Sequence, residues 1–443
     1  MIYKLSLIFT ILITSLFSKE FSIASYNVEN LFDLKYNYTE YREYIPNTAS
    51  KWNKKNYNKK LENVAKVLKN LDASIVGLQE IESQQALDDL LKLLPRYKYS
   101  FFYKNKKAAI GLAIISKYKI IKNSIINVKS KVNRPIVKSK FIIDNKAFYI
   151  FNNHWPSKRN SESYRVNYGL SLYKEIKNYA KDIDYIILGD LNSNYNEFET
   201  FKFEKRLNDS SNLTAINHLL NTRINDAYVL KDTISHKKTH YNLWLETPYQ
   251  NRFSSIYRGR DTTPDNILLS KALFDNKNIS FVNGSFKVFK PKYLIKNRRI
   301  NRWKMNKKVH RAAGFSDHLP IVATFNTKSY VKLEKTSTLS IKSLYELKNK
   351  ATKIENIIVI YKTKDKVIIK RKSDRAIMIY KDTSSLKEGF TYDIEVLKSS
   401  RYKGLNEIIK YKILKQKTYS NSYTKLFLDA SLVNILDYKY QCL

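Results

Sequence analysis

The sequence predicts an α/β layered protein followed by a small all-β barrel. Three observations carry that expectation. Apolar, β-branched runs such as Tyr185-Ile-Ile-Leu188 recur through residues 21–327 and alternate with helical patterns. Polar groups collect where those runs end, and strand ends are rigid mounts for working side chains. Beyond residue 350 the pattern changes to five short β runs in fewer than ~80 residues with turn-rich gaps, as in a small barrel.

The N-terminus reads as a targeting segment. Lys4 supplies a positive charge, Leu5 to Phe17 is apolar apart from hydroxyls, and cleavage is expected after Ser18. That run is too short to span a bilayer comfortably, and no later run of the chain approaches one. The mature protein is therefore expected in the periplasm or outside the cell, without stable membrane insertion and as a monomer. The single cysteine, Cys442, excludes an intramolecular disulfide and a cysteine-based zinc site.

The 443 residues suggest two domains, and 43% hydrophobic content leaves ample material for two cores. The charge is lopsided: 80 Lys+Arg against 40 Asp+Glu, a formal net of +40. AT-rich codon usage explains many lysines but not the shortage of acids. Such a chain is drawn to polyanions: DNA, RNA or an anionic surface.

Phe21 to Asn27 reads as the first strand of the mature chain, with Asn27 and Glu29 at its end. Asn27 is either a turn residue or a polar contact beside a metal or phosphate. Residues 51–60 carry five lysines, and a helical pattern follows through Leu61, Val64, Ala65, Val67, Leu68 and Leu71. Ala73 to Glu80 is the second strand. A carboxylate closing an apolar strand has to be hydrogen-bonded, paired or metal-bound, because a buried unpaired charge is expensive.

Ala108–Ser116, Ile136–Phe141 and Lys146–Asn152 are further strands. The last runs into Asn153-His154-Trp155-Pro156-Ser157-Lys158, where a histidine beside Asn and Lys suits phosphate chemistry. Glu162 to Ala180 reads as an amphipathic helix with Arg165 near its start. In Tyr185-Ile-Ile-Leu-Gly-Asp-Leu-Asn192, Gly189 ends a strand and puts Asp190 and Asn192 on the turn. Asp-x-Asn there is either a solvated Asx turn or a pair that orients a water and holds a phosphate oxygen. Pro264–Ser270 is one more strand, headed by Asp265. Residues 287–311 hold eleven Lys/Arg and no acid, Arg298, Arg299, Arg302, Lys307 and Lys308 among them. That run is either a solvated loop or an arm that clamps substrate. It leads into Gly314-Phe-Ser316-Asp317-His318-Leu-Pro320 and the strand Ile321–Phe325.

Five of these stretches, SYNVENLFD, VGLQEIE, NNHWPSK, LGDLNS and FSDHLPIV, resemble in order the endonuclease/exonuclease/phosphatase superfamily, of which deoxyribonuclease I is the familiar member. The nearest flavour is its secreted bacterial nucleases. The resemblance spans residues 21–327 and implies a four-layer α/β sandwich. It also implies phosphoester hydrolysis with Mg²⁺ or Mn²⁺; Ca²⁺ is a further hard ion of this kind. By the same resemblance Glu80 is the main metal ligand, Asn27 lies beside the metal, and Asp317 is at its edge. Asp190 and Asn192 position or deprotonate water, His318 faces the phosphate oriented by Asp265, and His154 is the second histidine. Which histidine is acid and which base stays open. Lys158, Arg165 and the arm's Arg298, Arg299, Arg302, Lys307 and Lys308 are expected to bind substrate. Asn266 follows Asp265 where the family more often has Tyr or His, and the loop before Ser316 is unusually long and basic.

The expected domains are a signal peptide (1–18), a catalytic domain (19–327), a linker (328–350, with a short helix at Ser343–Lys350), a barrel (351–430) and a tail (431–443). The order of β runs in the barrel resembles an OB-fold that contacts nucleic acid; the alternative is an appendage without a ligand. The whole reads as an exported nuclease acting on DNA with little sequence specificity. A phospholipid or sphingomyelin phosphodiesterase on the same fold is the rival enzyme. A surface DNA-binding protein with a dead site is the rival without catalysis.

Overall fold

The computed structural model describes residues 19–328, apart from 133, 202–203, 225–226, 232, 235–238, 249–250 and 276. It also describes 352–426, apart from 372–373, 375, 403–404 and 421–422. The expected signal peptide, most of the linker with its short helix, and the tail lie outside the described residues. The chain divides into two compact units, with the boundary between Lys332 and Leu333.

In the first unit, β-branched runs settle into two sheets. The strands of the first are β1 (Glu20–Leu31), β2 (Ile75–Ile81), β3 (Tyr99–Tyr103) and β4 (Gly111–Ser116). The strands of the second begin with β5 (Ile120–Ile126), β6 (Ile136–Ile143), β7 (Lys146–His154) and β8 (Asp184–Asp190). Later strands complete both: β9 (Tyr241–Asn242) and β10 (Asp265–Leu269) join the second, and β11 (Ser280–Phe281), β12 (Lys287–Val288) and β13 (Ile321–Asn326) join the first. The first sheet runs β11-β13-β1-β2-β4-β3, with β12 also on β13; the second runs β9-β10-β8-β7-β6-β5. The pairs β1–β2 and β7–β8 are parallel. β3, β5, β9, β11 and β12 were not foreseen; they are short or half-exposed, so their patterns carry little periodicity.

Three helices bury one face each. In α1 (Lys54–Leu71) Asn53 caps the start by accepting from the Asn56 N–H, and Asp72 closes the end in a left-handed conformation. Its Val64, Val67 and Leu68 pack with Tyr26, Val28, Val76 and Leu78 of the first sheet, together with Leu87 and Leu90 of α2 (Gln84–Lys92). Ile23, Ile75 and Ile114 meet Phe148, Ile186, Leu188 and Ile267, so the two sheets share one apolar interface. Phe151, Ile187 and Leu268 meet Tyr168, Leu172 and Ile176 of α3 (Glu162–Ile176).

The basic run 287–311 is no bare loop. It holds two short ribbons, Ile295–Lys296 with Arg299–Ile300 and Met305–Asn306 with Val309–His310. Leu294 and Trp303 are buried in the α1 cluster. Trp303 donates from Nε1 to His310 Nδ1 at 2.8 Å, and His310 Nε2 lies 2.8 Å from the Glu43 carbonyl. Gly314, at φ +87°, lies so close to the arm that a Cβ would sit 1.9 Å from the Arg302 carbonyl, so only glycine fits there.

The second unit is a closed barrel of β14 (Thr352–Lys362), β15 (Lys366–Lys370), β16 (Ile377–Tyr380), β17 (Phe390–Tyr402) and β18 (Leu405–Tyr419). Its strand order is β14-β15-β16-β18-β17, and β16–β18 is the parallel pair. Ile354, Val359, Ile369, Ile379 and Ile394 fill the interior.

Candidate active site

Register brings the expected residues to one place. His154, the last residue of β7, lies opposite Asp190, the last of β8, and Asp190 lies opposite Asp265, the first of β10. Gly189 makes this possible: at φ +132° a Cβ would sit 2.0 Å from the Asn153 carbonyl. On the other sheet, β2 bulges between Gln79 and Ile81. Glu80 sits in that bulge at φ +67°. A bulge re-aims a side chain, and a left-handed Glu costs about 1–2 kcal/mol that the surroundings must offset. Two hydrogen bonds hold it: Asn30 N–H donates to Glu80 Oε2 at 2.9 Å and Asn27 Nδ2 to Oε1 at 3.1 Å.

Asn27 joins the two sheets. Its Nδ2 also donates to Asp190 Oδ2 at 3.0 Å. The same oxygen is 3.5 Å from His154 Nε2 and 3.9 Å from His318 Nε2. Asn192, at φ +47°, donates its backbone N–H to Asp190 Oδ1 and its side-chain amide to the Trp155 carbonyl. His318 Nδ1 pairs with Asp265 Oδ2 at 2.7 Å, and Ser254 Oγ donates to that carboxylate oxygen at 2.6 Å.

The electrostatics separate the two histidines. Burial, then the charges of Arg134 and His318, drive the His154 pKa well below the ordinary histidine value, so it is neutral. Burial acts in the same direction on His318, but the carboxylates of Asp265, Asp190 and Asp317 outweigh it and raise its pKa well above the usual range. Asp190 is pushed up to about 6, first by burial and, against the pull of His318, by Asp265 and Glu80.

Glu80, His154 and Asp190 each bring a ligand atom within 4.8 Å of the others. Two carboxylates and a neutral imidazole, with the Asn27 amide beside them, fit a divalent ion. Asp190, Asp265 and His318 form a second such group. There Asp265 is committed to His318 and Ser254, so it reads as a histidine–aspartate pair instead.

Other expected residues are placed differently. Asp317 belongs to neither group; its carboxylate is 3.3 Å from Arg302 and 4.0 Å from His318 Nε2. Arg165, expected to bind substrate, lies in the interior. It is fully buried, pairs with Glu162 at 2.7 Å, and donates to the carbonyls of Pro156, Ser157 and Asn160. It organises the loop after His154. Lys158 is paired with buried Glu197 at 2.8 Å, and Arg298 with Asp261 at 2.6 Å. Arg299, Lys307 and Lys308 are exposed, and among the described residues no acid pairs with them.

Sequence reasoning missed a network behind the site. Buried Glu29 takes hydrogen bonds from Arg302 Nε at 3.1 Å and from the Trp303 N–H at 3.0 Å. Lys60, fully buried, donates to the Phe315 carbonyl at 2.8 Å. Burial and Asp317 push Glu29 up to about 7, against Lys60 and Arg302. These residues tie β1, α1 and the basic arm to the Asp317–His318 loop. Glu29 at a strand end was the one legible signal.

An ion-binding cluster beside a histidine–aspartate pair, set on facing strand ends, defines a metal-dependent phosphodiesterase. The chain belongs to the endonuclease/exonuclease/phosphatase family, whose model, described as "Endonuclease/Exonuclease/phosphatase family", matches residues 22–327. Similar solved structures include a humanised D. rerio TDP2, at 16% identity, TM-score 0.46 and coverage of 70% of this chain and 99% of that one. An endonuclease/exonuclease/phosphatase family protein from Bacteroides thetaiotaomicron is 14% identical, with TM-score 0.43 and coverage of 70% and 99%. An AP endonuclease from Archaeoglobus fulgidus is 17% identical, with TM-score 0.41 and coverage of 68% and 98%. No curated protein matches the chain.

Proposed function

We propose that the protein is an exported, Mg²⁺- or Mn²⁺-dependent nuclease that hydrolyses phosphodiester bonds of DNA with little sequence specificity. The observation that carries this is Asn27 bridging Glu80 and Asp190 while both histidines flank the same Asp190 oxygen. Pure DNA capture needs none of these residues. The net charge of +40 favours a polyanionic substrate.

Glu80 and Asn27, with Asp190 and His154 beside them, would hold a divalent ion, whose charge would offset that of the phosphate. Asp190, a buried carboxylate flanked by both histidines, is placed to take a proton from water. Asn192 fixes that carboxylate through its N–H. His318, cationic and oriented by Asp265, offers Nε2–H to charge developing on the phosphate. His154, kept neutral, places an uncharged imidazole on the other side of Asp190.

The shared interfaces support a stack of helix, sheet, sheet and helix, a four-layer α/β sandwich. The strand order β14-β15-β16-β18-β17 supports an OB-like module, and Lys366, Lys370 and Tyr380 on outward positions suit backbone contact and base stacking. The apolar segment ending at Ser18 supports a signal peptide and a periplasmic or secreted product. The test is digestion of plasmid, single-stranded DNA and RNA by mature protein with Mg²⁺, Mn²⁺ or EDTA. Cleavage with metal and none with EDTA is expected. Gel retardation without cleavage under every metal overturns the enzyme. Intact nucleic acid with hydrolysis of a phosphodiester lipid overturns the substrate.

A further inference from the structure

A two-stranded ribbon leaves the catalytic loop directly. Ser255–Tyr257 pairs with Arg260–Thr262, and Arg258 and Gly259 form its tip, both at positive φ. The base of the ribbon is fastened to the reacting groups. Ser254 Oγ donates to Asp265 Oδ2 at 2.6 Å, Ser255 Oγ donates to the Asp317 carbonyl at 2.9 Å, and Ser255 forms an isolated bridge with His318. The neighbouring arm braces it through Arg298 and Asp261 at 2.6 Å.

Tyr257, at the end of this strut, is 64% exposed. The Arg258 guanidinium lies 5.4 Å from the ring centroid, and Arg260 stands directly opposite Tyr257 across the ribbon. Among the described residues no acid pairs with Arg258 or Arg260. Tyr257 is two residues beyond Ser255, so its side chain shares the face that Ser255 turns to Asp317. It lies about 7 Å along the strand from the His318 bridge. A large rigid ring held out in water, with unpaired guanidinium groups around it, contributes nothing to the core. It matches a nucleobase with its phosphate: a flat π-face for the ring and an anion for the arginines.

We propose that Tyr257 and Arg258 form a stacking platform for the nucleobase next to the scissile phosphate, which gives the enzyme a preference for single-stranded or locally unpaired nucleic acid. This rests on the nuclease reading above. Duplex DNA keeps its bases stacked on one another and offers the ring nothing, so the preference follows from geometry.

The test uses full-length mature protein in EDTA and a single-stranded oligonucleotide carrying 2-aminopurine, whose fluorescence falls on stacking. Wild type should quench the probe. Tyr257→Ala should lose the quench and bind roughly tenfold more weakly, while Tyr257→Trp should restore both. With Mg²⁺ the loss in Tyr257→Ala should fall in KM for single strands and leave duplex KM unmoved. Unchanged quench and affinity in Tyr257→Ala, with the wild type cleaving the oligonucleotide, overturns the platform and leaves the nuclease standing. Tyr257-dependent binding to anionic lipid vesicles, with no binding to the oligonucleotide, overturns both.

Discussion

His318 Nδ1 lies 2.7 Å from Asp265 Oδ2, and that oxygen also accepts from Ser254. The other Asp265 oxygen is buried without a partner. The carboxylate is thus spent on holding one imidazole charged and oriented. Asp265→Asn keeps the shape but removes the charge. It should lower kcat by roughly 10²–10⁴-fold with little change in fold. Steady-state kinetics with far-UV circular dichroism checks this.

Asn27 sits between Glu80 and Asp190 with amide bonds of 3.1 and 3.0 Å. Asn27→Asp places a third carboxylate there. Without metal the three repel, and a divalent ion relieves them. Tm should drop in EDTA and recover on adding Mg²⁺, with a larger Mg²⁺ shift than wild type. An equal Mg²⁺ shift in both proteins counts against ion binding at this point.

Asp184, which opens β8, accepts from the Ile279 N–H at 2.7 Å, and its other oxygen is unpartnered. Burial and then the Asp275 charge, opposed by the Ile279 N–H, raise its pKa to about 8. The fold therefore keeps a proton that the unfolded chain gives up near its ordinary pKa. Stability from this group is fully present at acid pH and declines as pH rises from about 4 to about 8. Asp184→Asn should flatten that decline, seen as a smaller difference between urea midpoints at pH 5 and pH 8.5.

Arg165 is buried against Glu162 and three carbonyls. Arg165→Met leaves Glu162 uncompensated. It should cost roughly 3–5 kcal/mol of stability and leave KM nearly unmoved at temperatures where the variant is folded. Denaturant unfolding beside KM separates this from the substrate role its position in the sequence suggested.

Lys307 and Lys308 form the exposed turn of a ribbon in the basic arm, both at positive φ. If the arm meets phosphates, replacing both with Ala should weaken DNA binding at all sequences alike. It should reduce the slope of log affinity against log salt by about 2. Fluorescence anisotropy from 50 to 200 mM salt measures it.

Strand ends were legible because each combines an apolar run with a residue that cannot remain buried alone. Gly189-Asp190 and the Glu80 that follows Ile75–Gln79 are of this kind, and register then places their partners. The barrel was legible from its five β runs beyond residue 350, although β14, β17 and β18 are longer than the short runs expected. Unread were contacts that close over long stretches of chain. Glu29 with Arg302 and Lys60 with Phe315 join positions no local pattern connects. Arg165 was misread because a cation near a histidine motif looks like a phosphate ligand, and burial is not visible in a single residue's type. Glu80's bulge was also hidden, since nothing in IVGLQEI marks the left-handed position.

The central claim is that His318 and the carboxylates around it perform metal-dependent cleavage of nucleic acid. Its most direct measurement is single-turnover cleavage of a labelled single-stranded DNA in Mg²⁺ by wild type and His318→Ala, with binding measured in EDTA. The account predicts a rate at least about 10²-fold lower in His318→Ala at nearly unchanged affinity. A variant that cleaves within a factor of two of wild type would contradict it.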